Sequence, residues 1–216
     1  MNNITKGCIG IIARLGSTRL SDKHLIKVEG KPIITYLIER IKHHFIDEIN
    51  NYQLEIIILT GEQRRNERLG YIAKTCGIST YFGDNNNIPN RMLKAINKHH
   101  FDYIISVDGD DIICSPEGIR KVYDSLASGS DYIKTIGYPF GMNSMGMTKS
   151  FLAHSLKNNK NKKLETGWEW IFDEDKCTYI GKNTEQDKRL RFTLDYPEDL
   201  SLFKKIISSV NDIYKA

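Results

Sequence analysis

Residues 7 to 23 read GCIGIIARLGSTRLSDK, an apolar run that breaks at Ala13 into a polar loop carrying Arg14, Arg19 and Lys23. Gly7 to Ile12 is short and continuously apolar, as a strand covered on both faces must be. Downstream, Gly30-Lys31-Pro32 opens Ile33 to His44, where Ile34, Leu37, Ile38 and Ile41 fall at helical spacing. The order is strand, loop, helix, and it recurs. Leu54 to Thr60 predicts a second buried strand, Glu62 to Cys76 a polar helix, and Phe101 to Val107 a third strand ending at Asp108-Gly109-Asp110-Asp111. Strands alternating with helices predict an α/β fold with a single doubly wound, mainly parallel sheet.

Further along, Ser115-Pro116-Glu117 marks a helix start with proline in the first turn, running to Ser128, and Asp131 to Gly137 reads as a strand. The pattern then changes. Tyr138 to Lys149 is rich in Gly, Met, Asn and Ser, Asn158 to Lys163 is basic and amide-rich, and aromatic Trp168 to Phe172 precedes a strand at Cys177 to Ile180. These features predict an inserted segment, approximately 138–190, within one domain spanning 1–216. Leu190 to Leu194 then reads as a strand, and Pro197 to Tyr214 as a helix with Leu200, Phe203, Ile206, Ile207 and Val210 on one face.

Composition narrows the function class. The chain has 216 residues, 40% hydrophobic and 27% charged, which excludes disordered, collagenous and coiled-coil classes. Its net charge of +4 suits a phosphorylated ligand, and no basic stripe interleaved with aromatics points to nucleic acid. Cys8, Cys76, Cys114 and Cys177 show neither CxxC nor metal-ligand spacing, which predicts a reducing, cytoplasmic setting. No signal peptide, membrane span of about 18 apolar residues or basic amphipathic helix is expected.

In open α/β sheets ligands bind beyond the carboxyl ends of the strands, so three loops matter most. The first, Ala13 to Lys23, sets Gly16, Ser17 and Thr18 among three cations; backbone N–H groups near Gly16 and charge-assisted bonds from Arg and Lys suit a polyphosphate. The same composition also fits a solvated basic loop. The second, Asp108 to Asp111, gathers hard oxygen donors that suit Mg2+, or forms an Asp-rich turn. In the third, Pro197, Glu198 and Asp199 fit a helix start, while Asp195, still at the strand end, can share a cation with Asp110.

Three stretches carry a family likeness: IIARLGSTRLSDKHL at Ile11 to Leu25 with Gly30-Lys31-Pro32, Pro139-Phe140-Gly141, and RFTLDYPEDL at Arg191 to Leu200. In that order they resemble the cytidylyltransferases that activate acidic sugars, the CMP-Kdo and CMP-sialic acid synthetases, with a closer likeness to the spore coat polysaccharide biosynthesis protein SpsF group. The resemblance implies a nucleotide-diphosphosugar transferase-like fold and an Mg2+-dependent reaction of CTP with an acidic sugar, releasing pyrophosphate. It implies that Arg14, Ser17 and Lys23 hold the triphosphate with Arg19 in support, alongside Ala13, Gly16, Thr18 and Asp108, and that Asp110 and Asp195 bind metal. Arg14, Lys23 and Asp110 would be the catalytic set. On the acceptor side it points to Gly141, Asn143, Glu165 and Trp168, and it implies a homodimer through the inserted segment.

Several positions depart from the family pattern. Ser21-Asp22 stands where relatives have Pro-Gly, placing a carboxylate beside Lys23; Asp108 replaces a Gln or Thr; Asn143 and Met145 replace acidic residues. A phosphonate or sugar phosphate acceptor, and an inactive nucleotide-binding protein, therefore stand as alternatives. Glu165 and Glu169 would share a face if their stretch is helical, and Trp168 and Trp170 fit either a sugar pocket or packing. His43-His44 and His99-His100 suit helix C-termini, and Arg64, Arg65 and Arg68 a solvated helix face. Lys160 to Lys163 reads as a surface loop.

Overall fold

The computed structural model describes residues 6–157, 159, 162–181, 190–210 and 213–214. Strand β1 (Gly7–Ile12) is buried at every position because it runs through the middle of a seven-stranded sheet. Its side chains alternate: Ile9 and Ile11 enter one apolar cluster, Cys8 and Ile12 the other, so both faces of the sheet are covered. A hairpin of β2 (Lys27–Val28) and β3 (Lys31–Pro32) leads into α1 (Ile33–His44) and α2 (Ile46–Asn50). Strand β4 (Leu54–Thr60) pairs parallel with β1.

Helix α3 (Gln63–Thr75), strand β5 (Ser79–Phe82), helix α4 (Ile88–His99) and strand β6 (Tyr103–Asp108) follow. β5 extends the sheet beyond β4, whereas β6 crosses to the other side of β1, again parallel. Helix α5 (Pro116–Ala127) precedes β7 (Tyr132–Ile136), β8 (Met145–Thr148) and α6 (Lys149–Leu156); β9 (Thr178–Gly181) and α7 (Pro197–Ser209) complete the order. The sheet runs β5-β4-β1-β6-β8-β7-β9, and β8 is antiparallel to both neighbours. This is the doubly wound, mainly parallel α/β sheet that the alternating pattern predicts. Helix α7 packs Phe203 and Ile207 against Val28, Ile33 and Tyr36 in a third cluster. Among the described residues no helix is long and apolar enough to cross a membrane.

Local departures from the sequence reading have identifiable causes. β5 and α4 carry little pattern: β5 is a half-buried edge strand of four residues, and α4 starts in the polar run Asn85 to Asn87, capped by Asn87 accepting from the Asn90 N–H at 2.8 Å. Tyr138 to Lys149 is not wholly irregular, because β8 inserts there between β6 and β7. Leu190 to Leu194 is not a strand; only the Phe140–Arg191 bridge forms. Only Thr193 and Leu194 are buried there, while Leu190 is 44% exposed, and the Leu194 N–H donates to the Asp110 carbonyl at 2.9 Å. Helix α7 stops at Ser209, where Val210 turns extended and Arg40 takes the Ile213 carbonyl at 2.6 Å. Within the inserted segment, residues 182–189 lie outside the described residues, as do residues 160 and 161 of the basic loop.

The antiparallel strand fits because Gly146 lets α5 lie directly on it: a Cβ there would collide with Val122 and stand 2.9 Å from Leu126. Gly146→Val is expected to destabilise the protein by about 1–3 kcal/mol through overpacking, read as a drop of several degrees in Tm with the far-ultraviolet circular dichroism unchanged.

Candidate active site

Parallel pairing of β1 with β6 sets Ile12 opposite Asp108, so the loops that leave the two strands emerge side by side. The Gly109 N–H donates to the Ile12 carbonyl at 2.8 Å and fixes that junction. A cavity of about 440 Å³ opens above it, and Ala13, Arg14, Gly16, Ser17, Thr18, Arg19, Lys23, Asp108, Asp110, Glu165 and Trp168 all line it. A smaller one of about 180 Å³ adjoins it, lined by Gly141, Asn143, Met145 and Trp168. Asp108, Trp168 and Glu169 line both, so the two spaces meet at the end of β6.

The two loops join through Lys23, whose side chain is only 7% exposed. Its ammonium donates to Asp110 and, at 2.9 Å, to Asp195 Oδ1. Asp195 also receives Arg19 at 2.8 Å and Arg191 at 2.7 Å. Burial opposes its ionisation, but the hydrogen bonds from Lys23 and Arg191 prevail and hold its pKa below the ordinary carboxylate value. Asp199 accepts from the backbone N–H of Asp195 (2.8 Å) and Tyr196 (2.9 Å) at the start of α7, the capping role its position predicts. Asp22 turns away from Lys23 and pairs with Arg68 at 2.9 Å, so the departure from Pro-Gly leaves the Lys23 ammonium to its aspartates.

Asp108 is exposed at the end of β6 towards both cavities; desolvation by the surrounding protein first, then the charge of Asp110, push its pKa up to about 7. Among the described residues no set of three or more His, Cys, Asp or Glu converges on one point as a cation cage. What converges is the pair Asp110 and Asp195. Two carboxylates suit Mg2+, which completes its coordination with water and substrate phosphates, so the donor set fits that ion provided Lys23 yields its place.

The segment beyond α6 closes the side of the larger cavity. Leu164 bridges to Asn87 at the start of α4, with its N–H donating to the Asn86 carbonyl at 2.6 Å. This tether presents Glu165 to Arg14, with which it forms an ion pair. Glu169 instead faces Lys134 at 2.9 Å, because residues 165–167 bend and only Trp168–Ile171 forms a 3-10 turn. The two glutamates therefore do not share a helical face. Trp168 is 7% exposed and packs edge-on to Phe172, so it serves both packing and cavity wall, while Trp170 is exposed under the Lys162 ammonium.

Three further lining residues are not among the expected site residues; Arg91 and Lys134 lie outside the quoted motifs, whereas His24 lies within the Ile11 to Leu25 stretch. Arg91 of α4 is fully buried, donates to the Asp84 carbonyl at 2.9 Å, and has its pKa lowered to about 10 by desolvation first and Arg14 second. Lys134 of β7 belongs to the smaller cavity. His24 is 3% exposed with both ring nitrogens unpartnered, and desolvation lowers its pKa to about 4. A charged residue on a buried helix face or strand gives no periodic signal, which is why Arg91 and Lys134 are not visible in the sequence. His43, His44 and His99 sit at helix C-termini, and Arg64, Arg65 and Arg68 on an exposed face, as their positions predict.

The cytidylyltransferase family model matches residues 9–214, nearly the whole chain. The chain belongs to the cytidylyltransferase family. This cytidylyltransferase is accordingly a nucleotidyltransferase enzyme. It is 28% identical over 206 residues to an uncharacterized protein of Methanocaldococcus jannaschii, spanning 92% of this chain and 82% of that one. It is 27% identical over 134 residues to the 3-deoxy-manno-octulosonate cytidylyltransferase of Aeromonas salmonicida, a match covering 60% of this chain and about half (49%) of the relative. The fold is shared with a cytidylyltransferase from Leptospira borgpetersenii at TM-score 0.84 and 22% identity, covering 97% and 90% of the two chains. It is shared also with CMP:2-keto-3-deoxy-manno-octonic acid synthetase complexed with CTP, at TM-score 0.68 and 14% identity, covering 94% and 99%.

His24 yields a pH test. The unfolded chain takes up a proton there near pH 6.5 and the folded chain only near 4, so stability is lost as pH falls through that window and is unaffected above it. His24→Leu is expected to lose up to about 3 kcal/mol less between pH 7 and pH 4.5 than the unsubstituted protein, measured by urea denaturation at both values.

Proposed function

We propose that this cytidylyltransferase joins CTP to an acidic sugar in an Mg2+-dependent reaction, giving a CMP-sugar and pyrophosphate for surface polysaccharide synthesis. The observation that carries the reading is the meeting of two cavities at Asp108, the larger walled by Arg14, Arg19 and Lys23 and the smaller by Gly141 and Asn143. The opening stretch and the Pro139-Phe140-Gly141 stretch of the family likeness contribute to those walls, and the synthetase complexed with CTP shares the fold.

In this reading the triphosphate lies along Ala13 to Lys23, where Gly16, with φ of 88° and open space beside its Cα, leaves room for an anion to approach the backbone. Arg14 exchanges Glu165 for phosphate, and Arg19 and Lys23 exchange Asp195 and Asp110. Those two carboxylates would then hold Mg2+, which when bound draws charge from the α-phosphoryl oxygens. The acceptor hydroxyl, entering from the smaller cavity, attacks the α-phosphorus in line. One P–O bond forms, the bond to the bridging oxygen breaks, and pyrophosphate leaves towards Arg14 and Lys23. Asp108, at the junction, accepts the hydroxyl proton. The intact Lys23 and Asp110 arrangement argues against an inactive nucleotide-binding protein.

Pyrophosphate release on mixing with CTP, Mg2+ and acidic sugars tests the proposal. Asp110→Ala is expected to lower turnover by at least about 100-fold with the fold retained by circular dichroism. Unchanged turnover in a folded variant would remove Asp110 from the mechanism, and CTP binding without release across the sugars would favour an inactive protein.

A further inference from the structure

The smaller cavity has an electrostatic asymmetry that bears on what enters it. Among its described lining residues Lys134 is the one cation, set among Asp108, Asp111 and Glu169. The Lys134 ammonium, 19% exposed, contacts Glu169 Oε2 at 2.9 Å and Glu174 Oε1 at 2.8 Å. Burial opposes its charge, but hydrogen bonds involving Glu174, Tyr132 and Glu169 prevail and raise its pKa above the ordinary lysine value.

Its two partners are not equivalent. Glu174 is fixed from behind, accepting from the Tyr179 hydroxyl at 2.6 Å and the Tyr132 hydroxyl at 3.2 Å. Glu169, exposed to the same degree as Glu174 (45% and 47%), sits on the 3-10 turn beside Trp168 and lines the junction of the cavities. A carboxylate already rests at the point where the cavity offers its positive charge, and it belongs to the partner more easily moved.

Resting on the cytidylyl-transfer reading above, we propose that Lys134 is the receptor for the acceptor's carboxylate, with Glu169 holding that place until the acceptor arrives. Exchanging one carboxylate for another leaves the local charge unchanged. A phosphate or phosphonate dianion brings a further negative charge to a wall with three acidic groups and no arginine fork to receive it. The same wall has buried oxygens without partners, Asn143 Oδ1 and Ser144 Oγ; Asn143 spends its amide N–H groups on the carbonyls of Tyr138 and Pro139. A hydroxyl-rich monoanion that donates hydrogen bonds matches both features.

The test uses the full-length protein with CTP, Mg2+ and two sets of probes: 3-deoxy-manno-octulosonate, a sialic acid and other ulosonic acids, against 2-aminoethylphosphonate and hexose 1-phosphates. Pyrophosphate release is expected with at least one ulosonic acid and with none of the second set. With that acid, Lys134→Gln should raise the acceptor KM at least tenfold and leave the CTP KM within twofold, while Glu169→Gln should lower the acceptor KM. A purely structural Lys134–Glu169 pair would not give opposite shifts from its two halves. Turnover of a phosphonate or sugar phosphate, turnover of no ulosonic acid, or acceptor KM values unmoved by both substitutions would overturn the proposal. Calorimetric titration with CTP separates the failures: absence of CTP binding, or CTP binding without turnover of any ulosonic acid or with turnover of a phosphonate or sugar phosphate, sinks the underlying reading, whereas turnover of an ulosonic acid with acceptor KM values unmoved by both substitutions sinks the role of Lys134 alone.

Discussion

A buried ammonium between two carboxylates organises this molecule. Lys23 comes from the loop after β1, Asp110 from the turn after β6, and Asp195 from the approach to α7, so one set of charges ties together segments 87 and 172 residues apart. Taking such charges out of water costs several kcal/mol per ion, and their mutual attraction repays it only while every partner is present. The arrangement is therefore weak as a source of net stability and strong as a constraint on which segments meet. The parallel β1–β6 pairing makes the meeting possible by bringing the ends of both strands to one edge of the sheet.

The same logic extends outward. Arg14, Arg19 and Lys134 each face a carboxylate of the chain itself, from Glu165, Asp195 and Glu169 respectively. These cations are thus neutralised internally, and in the proposed reading an entering triphosphate or carboxylate would exchange with an intramolecular partner instead of meeting bare charge. Glu165 and Glu169 flank Trp168 in one short segment tethered to the start of α4, so one stretch of chain contributes to the walls of both cavities.

Much of this was legible in the sequence. The apolar runs of β1, β4 and β6 announce their burial, and the loop Ala13 to Lys23 announces its chemistry through an unusual density of cations, hydroxyls and glycine. Asp110 follows from its place just after β6, whereas the strand read before Asp195 is absent and only the RFTLDYPEDL likeness points to that residue. Less visible were features set by tertiary context. β8 is a four-residue strand containing Gly146, whose value lies in the room it gives α5. Of Leu190 to Leu194 only Thr193 and Leu194 are buried, and in a loop, a pattern indistinguishable from a short strand. Arg91 and Lys134 are charged residues on a helix and a strand, His24 stands among the polar residues of the first loop, and only the assembled fold shows all three at a cavity wall. Asp22, beside Lys23 in sequence, reads as a competitor until the backbone at φ of 48° turns it to Arg68.

The convergence of Lys23 and Asp195 is tested most directly by a double-mutant cycle in chemical denaturation, using Lys23→Met, Asp195→Asn and the pair. A shared buried ion pair predicts that each single substitution costs about 3–5 kcal/mol and the double little more than either, a coupling well above the few tenths expected of distant sites. Costs that simply add would place the two side chains apart, and the common site they define would not exist.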